Sequence, residues 1–113
     1  MDVYELDSYF QQFTPHQKKL VQALYDHSGK WLTRAKLARA ISKRRLTPYD
    51  IDCLRMLTDK GLIETSTRPT TAPGSDFAYI YNMPDRVADL IAQWADFRDE
   101  RSRQRRPVNL VSE

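Results

Sequence analysis

Lys43, Arg44 and Arg45 stand directly before a segment that opens Thr47-Pro48 and carries Asp50 and Asp52 in its first turns. Upstream lie Lys30, Arg34, Lys36 and Arg39, and no acidic residue falls between Asp26 and Asp50. Cations gathered on one stretch without counter-charges suit electrostatic capture of phosphate. The two acids oppose it, because a carboxylate repels phosphate. Asp50 has a local explanation: three residues after Thr47, it supports a helix N-terminus. Asp52 has no such role. It stands either near a base edge, where a carboxylate accepts from a cytosine amine, or on a surface that meets a basic protein.

Other chemistry has thinner support. His16 and His27 are far apart in sequence and belong to no acidic ligand cluster, so no metal site is expected. Cys53 reads as a small half-buried residue, or as an oxidation switch if its helix exposes it. There is no Gly-rich phosphate loop, nucleophile motif or pair of carboxylates in a pocket-forming context, and neither an enzyme nor a cofactor is expected. A second basic run, Arg98 to Arg106, is diluted by Asp99 and Glu100.

The chain has 113 residues, enough for one domain with its own core. Its 29% charged and 41% hydrophobic residues are globular composition, and the net charge is only +3. Charge placement therefore says more than charge total. No apolar run approaches the roughly 20 residues of a membrane span. The opening MDVYELDSYF lacks the basic region of a signal peptide, and the single Cys53 excludes an internal disulfide. A cytoplasmic location is expected.

Periodicity supplies the elements that must hold these groups. Residues 2–12 predict an amphipathic helix with Val3, Leu6, Phe10 and Phe13 at helical spacing. Thr14, Pro15 and Gln17 form a helix start, and Leu20, Val21, Leu24 and Tyr25 its apolar face. Trp31-Leu32 is one short extended bridge. Thr33 caps a helix that turns Leu37, Ala38 and Ile41 inward. Thr47-Pro48 starts the next, with Ile51, Leu54 and Leu57 as the buried stripe and Gly61 as its stop. Leu62–Ser66 and Phe77–Asn82 alternate like strands around a loop rich in Thr, Pro and Gly. Phe77, Tyr79 and Tyr81 share one strand face, suited to packing on a helix or to base stacking. A long helix from Pro84 carries Val87, Leu90, Ile91, Trp94 and Phe97. The domain is read as 1–106, with core 14–82, flanking helices 2–12 and 84–106, and a flexible tail 107–113.

That order, mostly α with a small β-hairpin, is a winged helix-turn-helix with extra terminal helices. LTRAKLARAI followed by CLRMLTDKGLIE resembles winged-helix regulators of the MarR, ArsR and PadR kind. Leu54, Leu57, Gly61, Leu62 and Ile63 meet their Leu-x-x-Leu-x-x-x-Gly-Leu-Ile run, and the resemblance extends over Thr14 to Asn82. It implies that the helix after Thr47 enters the major groove of double-stranded DNA, with Pro48, Tyr49, Asp52, Cys53 and Met56 on its outer face, Arg55 toward one flank and Thr47 at its start. Arg34, Lys43, Arg44 and Arg45 would face phosphate, and Arg68 on the wing the minor groove. Asp52 and Cys53 depart from the polar or basic residues such regulators place there.

Two apolar stripes look too long for a three-helix core: Leu6 and Phe10 on the first helix, and Leu90, Ile91, Trp94 and Phe97 on the last. Packing on each other within one chain is one outcome. The expectation is a homodimer interface, as in MarR- and PadR-like proteins. The whole reads as a dimeric, sequence-specific DNA-binding protein of the nucleoid, a transcriptional repressor with no legible effector pocket. The rival is a winged-helix protein–protein adaptor that presents Asp50, Asp52 and Asp59 to a basic partner. A third reading is non-specific DNA coating through the basic turn.

Overall fold

The computed structural model describes residues 1–71, 73, 74, 76–98 and 110. Among the described residues, five helices and three strands follow the order expected: α1 Val3–Gln12, α2 Pro15–Asp26, β1 Leu32–Thr33, α3 Arg34–Ala40, α4 Pro48–Asp59, β2 Glu64–Pro69, β3 Phe77–Asn82 and α5 Asp85–Arg98. The helix starts are set locally. Asp2, Thr14, Thr33 and Thr47 each accept the amide three residues on, and those at Thr14 and Thr47 are full capping boxes with Pro at the first position. Each such cap is worth about 1 kcal/mol and fixes where the chain turns into its helix. Gly61, at φ 81°, supplies the left-handed residue that ends α4.

β3 is the centre of an antiparallel sheet in the order β1-β3-β2. Thr65 pairs with Tyr81, Thr67 with Tyr79 and Pro69 with Phe77, so the β2–β3 hairpin projects well past the short β1. Here the expected strand shifts. Leu62 and Ile63 are buried and plug the core instead of joining the ladder. The ladder with β3 carries β2 outward to Pro69, along residues that are exposed throughout. Pairing with β3 overrides the weak strand signal of Arg68-Pro69.

Leu20, Leu24, Leu37, Ile41, Leu54, Leu57, Leu62 and Met83 are fully buried in the middle of the molecule. The two outlying stripes are the main correction. α1 and α5 pack on each other within one chain, which covers Leu6, Phe10 and Ile91 completely or nearly so. Phe10 lies 4.5 Å from Trp94, ring to ring, and the Trp94 indole N–H donates to Asp7 at 2.9 Å. Leu90 and Trp94 are half-buried against the same core, and Phe97 stays exposed beside Tyr4. Mutual burial therefore satisfies most of the apolar area from which a dimer interface was inferred.

The expected continuation of the last helix past Arg98 lies outside the described residues. Within 107–113 only Leu110 is described: it is buried, and its amide donates to Gln22 at 2.7 Å. Among the described residues no helix is long and apolar enough to cross a membrane.

Candidate nucleic-acid interface

The segment between α3 and α4 builds the centre of the site. Ser42 takes a positive φ of 62°, uncommon for a residue with a side chain, and reverses the chain so that Lys43 faces the start of α4. Lys43 Nζ then donates to both carboxylate oxygens of Asp50, at 3.1 and 2.9 Å. The Thr47 amide donates to the same carboxylate at 2.8 Å, and His16 of α2 hydrogen-bonds its other oxygen through Nε2. Asp50 is fully buried. Burial alone would push its carboxyl up, but the bonds from Thr47, Lys43 and His16 outweigh it and hold the group well below the usual carboxylate range.

Two readings change in consequence. His16 is not isolated from acids; α2 and α4 meet at a pair separated by 34 positions in sequence. Nor can Asp50 contribute to an acidic docking surface, because no part of it reaches solvent. Lys43 is engaged with Asp50, whereas Arg44 and Arg45 are exposed on the turn.

The phase of α4 differs from the expected one by a single residue. Its buried stripe is Asp50, Cys53, Leu54 and Leu57, with Ile51 only half-buried. A buried carboxylate at the first stripe position hid that phase from a count of apolar residues. Cys53 is consequently a core residue, 3% exposed, and the oxidation-switch reading fails. Alkylating reagents are expected to leave Cys53 unmodified in the native protein and to react on unfolding. Mass spectrometry with and without denaturant checks this, and rapid native labelling would show that α4 opens.

The outward side of α4 holds Tyr49, Asp52 and Arg55, all exposed, with Thr47 at its start. Tyr49 stacks on His16 at 5.5 Å, which ties this surface aromatic to the Asp50 centre. Asp52 and Arg55 approach to 3.9 Å while both remain more than 70% exposed, a pairing that contributes little. Arg68 is exposed on β2 opposite Ala78.

Arg34 is placed differently. Its Nε donates to the Tyr81 hydroxyl at 3.0 Å, and its guanidinium lies 4.3 Å over the Tyr79 ring. Tyr81 is buried, and Tyr79 and Phe77 are exposed in an edge-to-face pair. A groove of about 200 Å³ opens between α4 and β3, with Arg34 and Arg55 on its walls beside Asp59, Thr58 and Thr65. Sequence reasoning placed Arg34 near phosphate but missed the two tyrosines that hold it. Their alternation in β3 was the available signal. Among the described residues no group of three or more His, Cys, Asp or Glu is placed to hold a metal ion.

No protein-family model and no curated protein sequence matches the chain. Solved structures do. The crystal structure of a MepR point mutant from a multidrug-resistant S. aureus clinical isolate matches with a TM-score of 0.57 at 21% identity, over 88% of this chain and 67% of that one. A possible transcriptional regulator from Methanosarcina mazei Go1 gives 0.57 at 13% identity, over 88% and 82%. S. aureus MepR in its DNA-binding conformation gives 0.52 at 23% identity, over 88% and 66%. These likenesses, with the element order and sheet described above, show a winged helix-turn-helix fold.

Proposed function

We propose that the chain is a DNA-binding transcription regulator that places α4 in the major groove of duplex DNA. The observation that carries this reading is the continuity of one surface. The exposed Arg44-Arg45 turn runs directly into the exposed outer side of α4, where Tyr49, Asp52 and Arg55 stand. Arg44 and Arg45 grip the backbone, while residues on α4 meet base edges. Arg68, out on the hairpin, reaches toward the neighbouring minor groove. Likeness in fold to MepR in its DNA-binding conformation supports the reading. Burial of Asp50 also supports it, since that removes one of three acids the adaptor reading needed.

The regulator acts as a homodimer on a pseudo-palindromic site and represses by occupying a promoter on the nucleoid. With Leu6, Phe10 and Ile91 covered within the chain, a dimer would form through what remains open, Tyr4 and Phe97 at the outer edge of α1 and α5.

The test is a salt titration of duplex binding. Replacing Arg44 and Arg45 by Ala is expected to weaken binding to specific and random duplexes alike. Each lost phosphate contact should flatten the slope of log affinity against log salt by about 0.9. A double mutant with unchanged affinity and slope would reduce the turn to a solvated surface and favour the adaptor.

A further inference from the structure

We propose that the groove between α4 and β3 seats one backbone phosphate of the bound duplex between Arg34 and Arg55, with Tyr79 and Tyr81 as positioning residues that hold Arg34 ready. The inference rests on the regulator reading and adds a contact site to it. An arginine at the first position of a surface helix is ordinarily free to sample many rotamers. Arg34 is not. Tyr81 accepts from its Nε at 3.0 Å and Tyr79 supports its guanidinium plane at 4.3 Å, so two side chains of one strand determine where the group points.

The part of the guanidinium left over is the part that recognises phosphate. With Nε engaged, the two terminal nitrogens remain, the pair that binds two oxygens of one anion in a fork. Among the described residues neither has a hydrogen-bond partner, and no carboxylate lies within ion-pair distance of Arg34.

The groove leaves the work to its cations. Thr58 donates its proton to the Leu54 carbonyl at 2.8 Å, so in the 2.7 Å contact between Thr58 and Thr65 it is Thr65 that donates. Both hydroxyl protons are engaged within the protein. Arg55, which also lines the groove, is 73% exposed and only loosely paired with Asp52. Asp59 tempers the charge at one end, yet two guanidiniums outweigh one carboxylate. The groove shares Arg55 with the outer side of α4, along which the backbone of a duplex read by that helix would pass.

Salt titrations of duplex affinity for single and double variants test this. Arg34→Ala should flatten the log–log salt slope by about 0.9, and Arg34→Lys, which keeps a point charge, should lose affinity with the slope retained. Tyr81→Phe deletes only the acceptor in a buried ring and should leave the slope intact. Affinity should fall about threefold to tenfold, because Arg34 must then be ordered on binding. Tyr79→Leu should do the same and Tyr79→Phe should behave as wild type. In an Arg34→Ala background neither tyrosine change should matter further, since both act through Arg34. An unchanged slope in Arg34→Ala, with normal salt dependence in the wild type, overturns the phosphate seat and leaves the regulator standing. Tyrosine effects that persist without Arg34 overturn the positioning role. A wild type that binds no duplex overturns the regulator reading and this inference together.

Discussion

Replacing Asp50 by Ala is expected to destabilise the protein by about 3–5 kcal/mol, as removal of one partner from a buried charge pair commonly does. The carboxylate is fully buried and receives Lys43, the Thr47 amide and His16. Its loss leaves a partly buried ammonium and an amide without an acceptor, and it opens the joint between α2, the basic turn and α4. The melting temperature should fall by more than about 10 °C in a domain of this size. On the proposed reading, DNA affinity should fall with it although Asp50 faces no ligand, because the turn and the start of α4 lose their common anchor. Asp50→Asn, which keeps the shape and loses the charge, should lie between.

The pH dependence of this effect has a definite sign. The folded carboxyl titrates below its unfolded value, which is about 3.9. Its contribution is therefore fully present above that value and is lost as pH falls below it. Thermal melts of wild type and Asp50→Ala should differ widely at neutral pH, and the gap should narrow near pH 3. A gap that stays constant with pH would show that Asp50 acts through packing and not through its charge.

Trp94→Ala is expected to cost about 3 kcal/mol of folding stability. That is the low end for truncating a core Trp, because this one is only half-buried. The indole joins α5 to α1 through the Phe10 ring and through Asp7, which also takes Arg98 at 3.2 Å. The Trp94 hydrogen bond, with help from Arg98 and Gln11, holds the Asp7 carboxyl below its ordinary value against partial desolvation. Truncation leaves a gap beside Phe10 and loosens α1, whose Leu6 would meet water. Since the contact lies within one chain, the loss of melting temperature should not depend on protein concentration. Sedimentation beside the melts checks this: a dimer in the wild type that becomes monomer in Trp94→Ala, with a concentration-dependent melt, would move Trp94 to the subunit interface.

The features legible in the sequence are those whose cause lies within a few residues. Thr14 and Thr47 with their prolines, Thr33, Asp2 and Gly61 determine helix ends through bonds to amides three residues away or through a left-handed φ, so each could be read in place. The exposed Arg44-Arg45 turn was legible for the same reason, as an acid-free run beside a capped helix start. Partners distant in sequence were not. An amphipathic stripe says that a face must be covered but not by what, and only the tertiary structure decided that Leu6 and Phe10 meet Ile91 and Trp94 of the same chain. Helical residues advance about 100° each, so one charged member in a stripe is enough to misplace its phase by a position. Asp50 did this to Cys53: packing against His16 and Lys43 made burial of a carboxylate favourable, and the thiol three residues on went into the core with it. Arg34 followed the same logic. Its cationic character belongs to the sequence, but its direction was set only when the β2–β3 hairpin brought Tyr79 and Tyr81 across 45 and more positions to hold it.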